Sequence, residues 1–393
     1  MAGYARRLDR IQPFHVMRLL HRARELEAQG RDIIHMEVGE PDFDTPEPIV
    51  RAGVEALREG RTHYTPAVGL PRLREAIAGY YASRFGVDVS PERIVVTPGA
   101  SGALQLLMAL LANPGDRVLM ADPGYPCNRN FAFLHDARSV AVDVSRDGFQ
   151  LTPELVEQHW GDADGAMALL TTPANPTGAV IGREALAAIR EVARRRGGHL
   201  LVDEIYQGLT YDGEPFTAAE LGKDVFVINS FSKFFGMTGW RLGWLVAPPD
   251  AVPELDKLAQ NLFLAAPTPS QYAALAAFEP ETLAILENRR QRFEQRRDSL
   301  MPALENLGFR FAGQPSGAFY LYADCRGLGM DSDALSEALL EQAGVATTPG
   351  RDFSVIDPGR WLRFAFTTRR ERLEEGVARI TAFLAGRASS TES

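Results

Sequence analysis

Lys233 stands in the stretch SFSKFFGMTGWRLGW (230–244), three residues after Ser230 and eight before Arg241. Lys223, Lys233 and Lys257 are the only three lysines among 42 basic residues, so chemistry that needs a deprotonatable amine has few candidates. Lys223 and Lys257 lie in polar, loop- or helix-like contexts and read as surface residues. Three other apolar runs also end on useful groups. TTPANPTG ends with Asn175, LLVDEIYQG with Asp203 and, three residues on, Tyr206, and VTPGASGALQLL with Gly99-Ala100-Ser101-Gly102 at the start of a helix. Each has an ordinary reading alone: Asn, Pro and Gly favour turns, and an acidic strand end commonly caps a helix. Together they set an amide, a carboxylate, a phenol and an amine at neighbouring strand ends, beside a turn whose N–H groups can cradle an anion. That set suits a cofactor with an aldehyde, a pyridine ring and a phosphate. The aldehyde needs the lysine, a protonated ring nitrogen needs the carboxylate, and a ring hydroxyl needs the phenol and amide. Arg241 can meet the phosphate with two parallel N–H groups.

The elements that must hold these groups follow from the apolar pattern. Between about residues 91 and 247, RIVVTP, RVLMAD, SVAVDV, AMALLTT, HLLVDE, VFVINS and RLGWLVA read as strands, with helical segments such as ASGALQLLMALLA and REALAAIREVARRRG between several of them. Near-continuous apolar strands joined by helices predict an α/β fold with a mostly parallel seven-stranded sheet covered by helices. Ligands of such sheets collect at the carboxyl ends of the strands. The segment 281–302 reads as a long charged helix, FRFAGQPSGAFYLYA as a strand pair, SDALSEALLEQAG as a helix, RWLRFAFT as a strand, and 369–385 as a closing helix. The expected division is an N-terminal segment, 1–45, docking on the small domain; a large cofactor-binding domain, 46–280; and a smaller α+β domain, 281–393.

Composition narrows the function classes. The formal charge of −9 argues against nucleic acid or an anionic membrane as main partner. The basic run RRQRFEQRR (289–297) reads as a solvated helix face interrupted by Phe293. Cys127 and Cys325 are too few for a disulfide framework, which points to a reducing, cytoplasmic setting. No secretory signal and no apolar run long enough to span a membrane are visible. The seven histidines show no ligand spacing, so no metal site is expected.

In order along the chain, VGEPDFDTP, YTPAVGLPRLREAI, PGASGAL, NPTG, DEIY, SFSKFFGMTGWRLGW and RFAFT resemble the class I/II aminotransferases. These are pyridoxal-phosphate enzymes of fold type I, the aspartate aminotransferase superfamily. The resemblance implies transfer of an L-amino acid's amino group to a 2-oxo acid, with Lys233 forming the cofactor's Schiff base and Asp203 pairing with the pyridinium nitrogen. It implies that Asn175 and Tyr206 bond the ring's oxygen and that Tyr125 stacks on the ring. Ala100, Ser101, Ser230 and Arg241 would hold the phosphate, with Tyr64 reaching in from a second subunit of a homodimer. Arg363 would grip the substrate's α-carboxylate, with Gly39 and Asn175 beside it. Some relatives carry a hydroxyl residue where Gly99 stands, which implies one phosphate contact fewer here. The segment QNLFLAAPTPS lacks the cation that one dicarboxylate-specific subgroup carries there, and Phe14 and Val16 add apolar surface. Neutral donors such as alanine, methionine, leucine or aromatic amino acids are therefore expected over aspartate, with an exposed arginine, Arg18 for example, swinging in to serve glutamate and 2-oxoglutarate as an exchange pair. A C–S β-lyase, a cyclopropane-forming synthase or a non-catalytic pyridoxal-phosphate-binding regulator are the competing readings.

Overall fold

The computed structural model describes residues 4–161 and 166–391. Its centre is a seven-stranded sheet in the order Ile94–Thr97, Gly243–Val246, Phe226–Ser230, His199–Asp203, Met167–Thr171, Arg117–Asp122, Arg138–Asp143. Only Gly243–Val246 runs antiparallel to its neighbours; the other pairings are parallel. All seven runs expected as strands take part. The inner strands are buried along almost their whole length, because helices such as Gly99–Leu111 and Arg183–Arg195 cover them. Valine, leucine and isoleucine fill such two-sided burial, which is why the runs carry no polar alternation.

A three-stranded antiparallel sheet follows, with Trp361–Ala365 between Thr348–Pro349 and Tyr320–Asp324. Helices Pro280–Asn306 and Arg370–Thr391 pack together beside it. The amphipathic helix His15–Ala28 and strand Ile34–His35 come from the other end of the chain, and the strand pairs in parallel with Val345–Ala346. We propose the division 1–45, 46–280 and 281–393 on this basis, since the seven-stranded sheet lies within 94–246 and the three-stranded sheet within 320–365. Among the described residues no helix is long and apolar enough to cross a membrane.

Two expectations need correction. FRFAGQPSGAFYLYA does not form a strand pair. Only Tyr320–Asp324 is a strand, and Arg310 reaches it through a single bridge to Asp324. Gly313, Pro315 and Gly317 break the first run, and Tyr211 N–H bonds the Ser316 carbonyl, so the intervening loop is tied to the large domain. The basic run is not a solvated face either. Arg296 and Arg297 are buried. Arg296 holds Asp42 with two bonds of 2.7 and 2.9 Å, and Arg297 holds Asp212 at 2.6 Å and the Pro315 carbonyl at 3.0 Å. Buried guanidinium groups are tolerated only when paired in this way, and here the pairs join the long helix to the N-terminal segment and to the large domain.

Candidate active site

A cavity of about 340 Å³ opens at the carboxyl ends of the sheet and is closed from above by the N-terminal helix and the small domain. The register places Asp203 opposite Thr171 on one side and Ile228 on the other. Asn175, Tyr206 and Lys233 follow within three or four residues of adjacent strand ends. Parallel strands deliver their last residues to one edge, so groups far apart in sequence meet there without a dedicated motif.

The Lys233 Nζ donates to the Gly39 carbonyl at 2.7 Å and lies 6.0 and 5.9 Å from the centres of the Tyr206 and Phe319 rings. No carboxylate pairs with it among the described residues. Loss of hydration pushes its pKa down to about 8; Glu40 opposes the shift, and Arg363 and Arg241 add to it. Lys223 and Lys257 are exposed, and Lys257 pairs with Glu254.

Asp203 is buried, and its Oδ1 accepts from the Ile205 N–H at 3.0 Å. It too has no ion-pair partner among the described residues, and burial pushes it up to about 7. A carboxylate held this way is stabilised by any cation placed against it. The Tyr206 and Tyr320 hydroxyls share a hydrogen bond of 2.8 Å, and burial raises both phenols. Tyr125 stands at the start of helix Pro126–Leu134 with its ring on the cavity.

At the opposite end, helix Gly99–Leu111 has no side chain capping its first turn, so its leading N–H groups are available to an anion. Gly99 has φ +71°, and a Cβ there would come within 2.6 Å of Arg241 Nη2. A Cβ on Gly243 would come within 2.7 Å of the Gly99 carbonyl carbon and 2.9 Å of the Ala100 nitrogen. The two glycines let the Arg241 guanidinium close against the turn. The departure at Gly99 therefore has a steric reason. Arg241 Nη1 donates to the Thr238 carbonyl at 3.0 Å. Ser230 Oγ accepts from the Ser232 N–H at 3.0 Å, and Ala100 and Ser101 complete this wall.

Arg363 is buried on the middle strand of the small sheet rather than at an edge. Nη1 donates to Asn175 Oδ1 at 2.9 Å, and Nη2 donates to the Glu37 carbonyl and, at 3.3 Å, to Thr348 Oγ1. Its carbon plane is 4.5 Å from the Tyr320 ring centre and 4.6 Å from that of Phe353, while Nε has no partner. Gly39 approaches Tyr320 so closely that a Cβ would overlap the phenol oxygen.

The structure thus gathers eleven of the twelve site residues expected from the sequence around one cavity. The exception is Tyr64, which is 82% exposed and lies away from it. Arg18 also stays outside, held by Glu337 at 2.8 Å and by His15 Nε2 at 2.9 Å. Sequence reading missed Tyr320, Phe353 and Thr348. Tyr320 is 114 residues from Tyr206, and only the aromatic alternation of FYLY hinted at a packed strand.

The donor set fits pyridoxal phosphate at both ends: an uncapped helix start with a guanidinium closed onto it, and across the cavity a buried carboxylate without a counter-ion. Comparison with known proteins agrees. The family model for aminotransferase class I and II matches residues 31–380. A valine–pyruvate aminotransferase of Mycobacterium tuberculosis is 36% identical over 95% of this chain and 97% of its own. An aspartate/prephenate aminotransferase of Thermus thermophilus is 35% identical over 99% of this chain and 100% of its own. The crystal structure of an aminotransferase from M. tuberculosis superposes with a TM-score of 0.94 at 36% identity, covering 98% of this chain and 100% of that one. The chain belongs to the class I and II aminotransferases, enzymes that move amino groups between amino acids and 2-oxo acids with pyridoxal phosphate as cofactor.

Proposed function

We propose that Lys233 carries the cofactor and then serves as the base of the reaction, in a transaminase that prefers neutral donors. The observation that supports this most directly is the pairing of two unneutralised groups in one cavity, an amine pushed down to about 8 and a carboxyl pushed up to about 7. When bound, pyridoxal phosphate supplies an aldehyde for the amino group and a protonated ring that accepts electrons.

The chain's own residues do the rest. Asp203 would hold the ring nitrogen in its protonated form. Asn175 and Tyr206 would bond the ring oxygen, and Tyr125 would stack on the ring. Ala100, Ser101, Ser230 and Arg241 would hold the phosphate. Arg363 binds the substrate's α-carboxylate with its planar fork, and Asn175 fixes that guanidinium. Gly39 lets the backbone approach closely. Lys233 Nζ, near neutrality in its free-base form for a useful fraction of the time, takes the proton from the substrate's Cα.

Phe14, Val16, Met17 and Leu20 give the cavity an apolar wall. A donor side-chain carboxylate set against that wall would lose its hydration without a partner, which is costly. The M. tuberculosis relative is named for valine and pyruvate, which fits this reading; the T. thermophilus relative is named for aspartate. The test is kcat/KM across alanine, valine, methionine, phenylalanine and aspartate with one acceptor. Aspartate leading all neutral donors by about tenfold, 1.4 kcal/mol, would overturn the preference.

The active unit in this reading is a cytoplasmic homodimer with Tyr64 completing the partner's phosphate site. Tyr64 is exposed, and so are Leu57, Leu262 and Leu264 on segments that meet near the His63–Thr268 contact. Mixed dimers of Tyr64→Phe and Lys233→Ala subunits should recover activity above either parent; no recovery, or an active monomer in sedimentation, would contradict sharing.

A further inference from the structure

A second opening adjoins the inner cavity across Phe14, Pro126 and Asp352, which line both. It is a cleft of about 570 Å³ whose charged lining is Arg10, Arg129, Arg351 and a single carboxylate, Asp352, with His15 beside them. Asp352 is already engaged. Its oxygens accept from the His15 and Val16 N–H groups, both at 2.8 Å, and cap a helix whose own N-cap residue, Phe14, offers no side-chain acceptor. Arg351 spends only its Nε on Asp333, at 2.7 Å. Arg10 rests on the Phe133 ring at 5.0 Å and has no ion pair among the described residues.

Arg129 is the most informative of the three. It is partly buried, and its one hydrogen bond goes to the Asp352 backbone carbonyl at 3.2 Å. It has no ion pair among the described residues. The nearby Asp122 is turned to Ser354 and, at 2.8 Å, to the Val355 N–H. The carboxylates of Asp122 and Asp352 lie near enough to favour its charge, but neither bonds it, so its fork, which matches carboxylate or phosphate, is left to an incoming anion. The cleft meets the inner cavity at Phe14, Pro126 and Asp352, and Phe14 with Val16, Met17 and Leu20 makes the apolar side of the inner cavity.

We propose that the arginine-lined cleft is an outer subsite for the distal anionic group, carboxylate or phosphate, of an elongated amino acid or 2-oxo acid whose reacting end lies in the inner cavity. Such a substrate has an anion at each end and an apolar middle. Short diacids are excluded because their second charge stops at the apolar wall. The inference rests on the inner cavity being the transamination site with that wall.

The test uses the holoenzyme and pyruvate as acceptor. kcat/KM is measured for the dicarboxylic series from aspartate through glutamate and 2-aminoadipate to 2-aminopimelate and 2-aminosuberate, for neutral 2-amino acids of matching length, and for the ω-phosphono analogues. The ratio of diacid to matching neutral donor should be lowest at aspartate and rise by about tenfold or more with length. Arg129→Gln and the exposed Arg10→Gln should each lower that ratio for 2-aminopimelate by about fivefold and leave it unchanged for aspartate. Calorimetry should show the same loss for the unreactive diacid pimelate. A greater gain for the phosphono series than for the diacids marks phosphate as the distal group, and the reverse marks carboxylate. A ratio flat with length, or one insensitive to both substitutions, overturns the outer subsite. Aspartate outrunning every neutral donor would instead sink the apolar-wall reading, and pimelate binding that both arginine substitutions weaken would still support the cleft.

Discussion

Lys233 and Arg363 both line the inner cavity, and they are built differently. Lys233 has one carbonyl acceptor and no counter-ion, so burial lowers its pKa to about 8. Arg363 is surrounded by acceptors from Asn175, Glu37 and Thr348 and is sandwiched by two aromatic rings. An amine left short of partners gives up its proton, whereas a guanidinium stays charged and gains direction from its partners. In the proposed reading the same cavity would hold a base and an anion receptor, separated by side-chain chemistry and by how completely each is satisfied.

Removing the base should have the largest effect. Lys233→Ala should lose about 10⁴-fold or more in kcat, with the fold intact by circular dichroism; substantial residual turnover would break the contrast at its first member. Asp203→Ala comes next. It should cost about 10³-fold in kcat, because the carboxylate stabilises charge that is greatest in the transition state, and the cofactor's affinity should fall with it. Arg363→Gln should cost about 2–5 kcal/mol in kcat/KM, chiefly through KM and equally for every donor, because all donors share the α-carboxylate. A loss confined to one class of side chain would mean that Arg363 reads something else.

The titration of the two poorly paired groups sharpens the comparison. The folded pKa of Lys233 lies below its ordinary value of 10.5, so its burial penalises the cofactor-free fold fully below pH 8 and is relieved as pH rises toward 10.5. Lys233→Met should therefore stabilise the cofactor-free protein by about 1–3 kcal/mol at pH 7, discounted because the cavity side of the residue meets water. That gain should fade above about pH 10. Asp203 has the opposite sign. Its folded pKa is raised by burial, so its penalty is absent below about pH 4, grows as pH rises through 7, and is full above it. Thermal melts of the cofactor-free protein against pH check both. The smallest effect should come from Tyr206→Phe, about 1 kcal/mol for one neutral hydrogen bond, read as a modest loss in kcat.

The difference between the two cations also explains what the sequence reveals. Asp203 ends a strand of one sheet, and Lys233, Asn175 and Ala100 follow within three or four residues of the ends of three others, each strand with its own apolar run. Their convergence follows from topology, so both fold class and cofactor chemistry are legible. Arg363 owes its setting to Glu37, Thr348, Tyr320 and Phe353, residues on separate segments that meet only in the folded small domain. No local pattern encodes that meeting, and resemblance alone singled out Arg363. Arg296 and Arg297 show the same limit in reverse: a basic run has the pattern of a solvated face, while their partners Asp42 and Asp212 lie 254 and 85 residues away. Arg129, which has no ion pair among the described residues, is hidden for the same reason, whereas the apolar surface of Phe14 and Val16 could be read from the chain's start.

The central claim is that the cofactor is carried by Lys233, and the three lysines of the chain make it simple to test. Holoenzyme treated with borohydride, digested with trypsin and analysed by mass spectrometry should show the cofactor's mass on the single peptide Asp224–Arg241, uncleaved at Lys233. Recovery of that mass on Lys223, Lys257 or the N-terminus, with Lys233 unmodified and cleaved, would contradict the account.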